Sequence, residues 1–257
     1  MNIPEAFIKP FPTYEDVFYD DIENHRKHFL PICSIHLKCI DPELDEWLHV
    51  VSAKEIYEGC VGDSTQSYHT LFTKEDMLGF DVIDGKYKFE ADWNYFTLHQ
   101  QEHSADSEID EDLKAAYAQN ELDYQIRKQF YQNNQKVYPY SRLSEEFSSA
   151  EELLADFNKK QADGWGLSYP EINGIWDDIA FMSDEAQGYL QKYNETVEEL
   201  RRFENTNLLH VPKKANGEVF DYIGSITGYY FQAYGADNVF LFYDKELRKA
   251  VICFEYT

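Results

Sequence analysis

The sequence predicts an α+β fold in one domain over residues 1–257, with antiparallel sheet from strand-rich stretches at 29–98 and 219–256 packed with a helical middle at 107–204. Three observations carry this. An apolar/polar alternation of period two runs through 86–96, an apolar period near 3.6 without Gly or Pro runs through 107–136, and β-branched and aromatic runs return after residue 219. Strands grouped on either side of a helical segment, rather than alternating with helices, set the chain apart from a parallel α/β fold.

Taken in order, Ile32–Leu37 and Trp47–Val51 are short strand runs separated by the turn-like Asp41-Pro42-Glu43. In 86–96, Tyr87, Phe89, Ala91, Trp93 and Tyr95 fall on one face, and Asp84-Gly85 joins this strand to Phe80–Ile83 as a hairpin. The first long helix starts near Ser107, carries Ile109, Leu113, Ala116, Tyr117, Leu122, Ile126 and Phe130 on its apolar face, and stops at Val137-Tyr138-Pro139. A capping box, Ser149-x-x-Glu152, opens a second helix that runs through Leu153, Leu154 and Phe157 towards Gly164. A third begins near Ser183 with Leu190, Tyr193, Val197, Leu200 and Phe203 as its stripe. Between the last two lies Gly164-Trp165-Gly166-Leu167-Ser168-Tyr169-Pro170, an aromatic, glycine-bearing loop. The C-terminal runs 219–227, 238–243 and 250–256 read as a meander ending in a hairpin.

Within that meander, Pro212-Lys213-Lys214-Ala215-Asn216-Gly217-Glu218-Val219-Phe220-Asp221-Tyr222-Ile223-Gly224 and Gly235-Ala236-Asp237-Asn238-Val239-Phe240-Leu241-Phe242-Tyr243-Asp244 resemble the C-terminal pattern of YwqG-like bacterial proteins. The resemblance covers under a fifth of the chain. It implies an α+β bacterial cytosolic protein and supplies no catalytic residues.

Charge narrows the function classes. With 23 basic against 48 acidic side chains the formal net charge is −25, and phosphate binding needs Lys or Arg to displace counterions, so neither direct nucleic-acid binding nor an anionic membrane is expected. Residues 1–11 contain neither a basic n-region nor an apolar run of signal-peptide length, which predicts a cytoplasmic protein. Cys33, Cys39, Cys60 and Cys253 match neither a disulfide framework nor a metal knuckle and are expected as buried thiols. The basic run His25-Arg26-Lys27-His28 is expected to be a helix face paired with nearby carboxylates.

Two clusters carry functional readings. His99-Gln100-Gln101-Glu102-His103 fits the inverted zinc-peptidase spacing, in which His99 and His103 would hold zinc and Glu102 would activate water. Its flanks instead predict a solvated strand-to-helix turn, so a metal-dependent hydrolase is the runner-up and no resident cofactor is expected. Between 102 and 123 there are eight carboxylates and one lysine, Lys114. Such a surface serves solubility, or it attracts a basic protein by raising the encounter rate by roughly 10–10³-fold. The leading expectation is a non-enzymatic acidic protein that neutralises a basic partner, a toxin or nuclease, in the manner of an immunity protein. Asp106, Glu108, Asp110, Glu111 and Asp112 would supply the charge, with Trp165 and Tyr169 as aromatic anchors. A housekeeping domain without a strong partner is the third reading.

Overall fold

Ile8–Pro10 (β1), Phe29–His36 (β2) and Trp47–Ala53 (β3) form a three-stranded antiparallel sheet in the order β1-β2-β3. Met77–Ile83 (β4), Lys86–Phe89 (β5), Asp221–Ile226 (β6), Asn238–Asp244 (β7) and Lys249–Glu255 (β8) form a second, in the order β5-β4-β8-β7-β6. These elements come from a computed structural model, which describes residues 4–39, 41–55, 61–104, 108–138, 147–166 and 206–256. The predicted α+β class is the one observed. The two strand-rich ends share the larger sheet, because β4 pairs antiparallel with β8 in the register Leu78↔Ile252. Asp84 and Gly85 adopt φ of 51° and 75°, the primed-turn geometry that closes the β4–β5 hairpin.

The helices are Tyr14–Val17 (α1), Ile22–His28 (α2), Thr97–His103 (α3), Glu111–Asn134 (α4) and Ala150–Ala162 (α5). None of the described helices is long and apolar enough to cross a membrane. The expected third helix near 183–203 lies outside the described residues. On α5, Ser149 caps as expected by accepting from the Glu152 amide at 3.2 Å, whereas the returning Glu152 carboxylate takes Ser148 N–H at 3.0 Å.

One apolar core spans both sheets. Phe29 is fully buried, with ring centroids of Phe80, Phe89, Phe96 and Phe18 at 5.2–5.7 Å. The strand expected over 86–96 ends at Phe89, and 93–95 forms a 3₁₀ turn. Asp92 accepts from the Asn94 amide at 2.8 Å and starts that turn, which swings Trp93 and Phe96 onto α2. Cys33 and Cys253 are buried as expected, Cys39 is half-buried, and Cys60 lies outside the described residues. On α2, Arg26 pairs with Glu15 at 2.8 Å and with Glu23 at 3.7 Å, the local pairing expected of the basic run, whereas Lys27 pairs with the distant Glu102.

The α4 stripe departs from its apolar prediction. Leu113, Ala116, Tyr117, Asn120, Asp123, Tyr124, Arg127 and Phe130 are buried at successive steps of three and four, whereas Ile109 and Leu122 are exposed. Polar members of that stripe are tolerated because they are bonded. Asn120 donates to Lys54 O at 2.9 Å and accepts from the Tyr234 amide at 3.1 Å, and Asp123 accepts from Arg127 Nε at 2.8 Å.

Candidate functional site

The HxxEH motif lies on α3, a helix, and so corrects the expected solvated turn. Phe96, at its N-cap, has no side-chain oxygen, and the cap comes instead from Glu55, which follows β3. Its carboxylate accepts from Thr97 N–H at 2.8 Å and Leu98 N–H at 3.3 Å, satisfying amides that the helix itself leaves open. Burial raises the Glu55 carboxyl above its ordinary range, opposed by those amides and by the Tyr117 hydroxyl. Tyr117 donates to Glu55 at 2.8 Å, so its oxygen accepts from His28 Nδ1 at 2.9 Å and the His28 proton sits on Nδ1. His28 Nε2 is buried and finds no hydrogen-bond partner among the described residues. Burial, reinforced by Lys27 and His99, holds His28 well below the usual imidazole range.

On α3 the rings of His99 and His103 stack at 4.1 Å, as a spacing of four dictates. Glu102, however, is ion-paired with Lys27 of α2, and His103 Nδ1 donates to His99 O at 2.8 Å. Among the described residues no three His, Cys, Asp or Glu side chains converge in an arrangement able to hold a metal ion. Glu102, through Lys27, and His99, whose ring lies 5.6 Å from that of His28, link α3 to α2, while His103 stacks on and bonds to His99 within α3.

The acidic stretch is built differently from its prediction. The helix begins at Glu111, not near 107, because Asp110 is the N-cap and accepts from the amides of Asp112 at 3.0 Å and Leu113 at 3.1 Å. Glu108 precedes the helix, and Glu111 and Asp112 occupy its first turn, where carboxylates complement the dipole. All four are exposed, and among the described residues only Glu111 has a base within range, Lys114 at 3.7 Å. Asp106 and Tyr169 lie outside the described residues. Trp165 is 61% exposed on the turn after α5, between Gly164 and Gly166 at φ of 91° and 103°. A Cβ on Gly166 would come within 3.1 Å of Lys136, which places this turn just beyond the C-terminus of α4. The 24 residues of α4, at about 1.5 Å each, separate Trp165 from the acidic end by roughly 36 Å. The structure thus does not bring the anchor and the carboxylates together.

A second site escaped the sequence. A cleft of about 410 Å³ opens over the three-stranded sheet and the β4–β5 turn, with Lys9, Ser34, His49, Trp47 and Gly85 among its walls. Register aligns Lys9 of β1, Ser34 of β2 and His49 of β3 as directly opposed pairs, which puts their side chains in one row on one face. Ser34 Oγ lies 2.7 Å from His49 Nδ1, and His49 Nε2 lies 2.8 Å from Gly85 O. A carbonyl only accepts, so Nε2 carries the proton and Ser34 donates to Nδ1. Burial lowers the His49 pKa to about 4, opposed by the bond to Gly85. The strand alternation put Ser34 and His49 on strands, but pairing them needs the β2–β3 register, which no local pattern states.

Comparison with protein-family models, with curated proteins and with solved structures finds no match to this chain.

Proposed function

We propose that the chain is an acidic, cytoplasmic binding protein that captures a basic protein, of the kind that neutralises a toxin or nuclease, through the carboxylates at the start of α4. The observation that supports this is the exposure of Glu108, Asp110, Glu111 and Asp112 within five residues, with Lys114 at 3.7 Å as the one counter-charge among the described residues. Other carboxylates hold a cation closely: Asp244, Glu218 and Glu246 meet Lys214 at 3.0–3.2 Å, and Asp81 and Glu90 meet Lys249. Uncompensated surface charge steers an opposite partner over about a Debye length of roughly 8–10 Å at moderate salt. Trp165, at the other end of α4, belongs to a separate surface on this reading.

The test is a pull-down at low and moderate salt with the wild-type chain and with Glu108→Lys, Glu111→Lys and Asp112→Lys combined. The expected result is retention of a basic protein by the wild type, weakened by salt and lost on charge reversal. Failure to retain one, or retention indifferent to reversal, ends the reading.

A further inference from the structure

We infer that the cleft over the three-stranded sheet is an acyl-transfer site for a small carboxylic ester, with Ser34 as nucleophile and His49 as general base. Nucleophilic catalysis by serine needs an alcohol donating to an imidazole, and an imidazole fixed from its far side by a third group. Ser34, His49 and Gly85 O meet both requirements at 2.7 and 2.8 Å, with a backbone carbonyl in the third position. The two side chains are 2% and 3% exposed, and the cleft gives access to them. At neutral pH burial keeps His49 in the unprotonated form that a base requires. Lys9, next in the cross-strand row, holds its ammonium 4.0 Å from the centroid of the Trp47 ring on the cleft wall. There it provides positive charge for the developing oxyanion, while Trp47 offers an apolar face to the acyl chain. The volume, about 410 Å³, lies within the range of small-molecule sites.

The chemistry balances without a cofactor. Ser34 Oγ bonds to the acyl carbon as its proton passes to His49 Nδ1, and the departing alkoxide takes that proton as the ester C–O bond breaks. Water then adds to the acyl-serine, giving a proton to Nδ1. The carboxylic acid leaves as Ser34 recovers that proton.

The experiment uses the intact chain with p-nitrophenyl acetate as substrate and a fluorophosphonate as covalent probe. The expected result is hydrolysis above buffer and a single label mapped by mass spectrometry to Ser34. Ser34→Ala should abolish both, and His49→Gln should slow hydrolysis by roughly 10²–10⁴-fold. Because both residues are buried, Lys9→Ala, a change at an exposed side chain, provides a variant that keeps the fold and should slow labelling by about tenfold. A folded wild-type chain that shows no hydrolysis, no label, or a label at another residue overturns the proposal. Ester hydrolysis with the Ser34 label and retention of a basic protein are separate readouts, so the failure of either leaves the other standing.

Discussion

The start and the middle of α4 use acidic residues in opposite ways. At its start Asp110, Glu111 and Asp112 face water, and one of them caps the helix. Midway along it Asp123 is fully buried and paired at 2.8 Å with Arg127, whose guanidinium lies 5.4 Å from the centroid of the Phe157 ring. Burial alone raises the Asp123 carboxyl, and the Arg127 guanidinium opposes that shift. The difference teaches that the charges of this helix divide into those the fold depends on and those it leaves available. Asp123 pairs with Arg127, which reaches the Phe157 ring of α5, whereas the first-turn carboxylates affect the fold only through the cap and the dipole.

The largest expected effects fall on the buried stretch. Phe157→Ala should destabilise by about 3–5 kcal/mol in urea titration, because it opens a cavity between α4 and α5. Arg127→Met should cost a similar 3–5 kcal/mol by leaving Asp123 uncompensated, and adding Asp123→Leu should restore most of it. An unchanged midpoint for Arg127→Met would erase the contrast.

Acid comes next. His28 and His49 titrate lower in the fold than in the unfolded chain, so the unfolded chain binds more protons below pH 6.5. Stability is therefore complete above pH 6.5 and falls as pH drops, by about 1.4 kcal/mol per pH unit for each such histidine. Glu55, whose carboxyl is raised, works in the other direction just above 4.5. Urea midpoints that stay flat between pH 7.5 and 5.5 would contradict the burial of these imidazoles. The smallest effects belong to the exposed end: Asp110→Ala should cost about 1 kcal/mol through the lost cap, and Asp112→Lys should fall within about 0.5 kcal/mol of wild type. A large loss for Asp112→Lys would show that this end, too, is committed to the fold.

Much of this arrangement was readable in the sequence wherever the determinants are local. The Asp84-Gly85 turn, the Ser149 cap and the terminal meander follow from neighbours in the chain. Distant partners hid the rest. The helix that carries HxxEH is capped by Glu55, 42 residues from Thr97, and the Lys27 that neutralises Glu102 is 75 residues away. Asp123, counted with the acidic surface stretch, is buried with Arg127 four residues on, and Asn120 is buried by partners 66 and 114 residues away, while Ile109 and Leu122 looked like core by hydrophobicity alone. Of the residues expected to act, the four described carboxylates and Trp165 are exposed as anticipated, yet they stand at opposite ends of α4.

The strand order β5-β4-β8-β7-β6 has a consequence for biosynthesis. Its middle member, β8, leaves the ribosome after the other four strands, so the β4–β5 and β6–β7 ladders must wait with one flank open. Any delay in adding β8 would prolong a state in which the facing edges of β4 and β7 stand unpaired, and a chaperone that shields such edges would act there first.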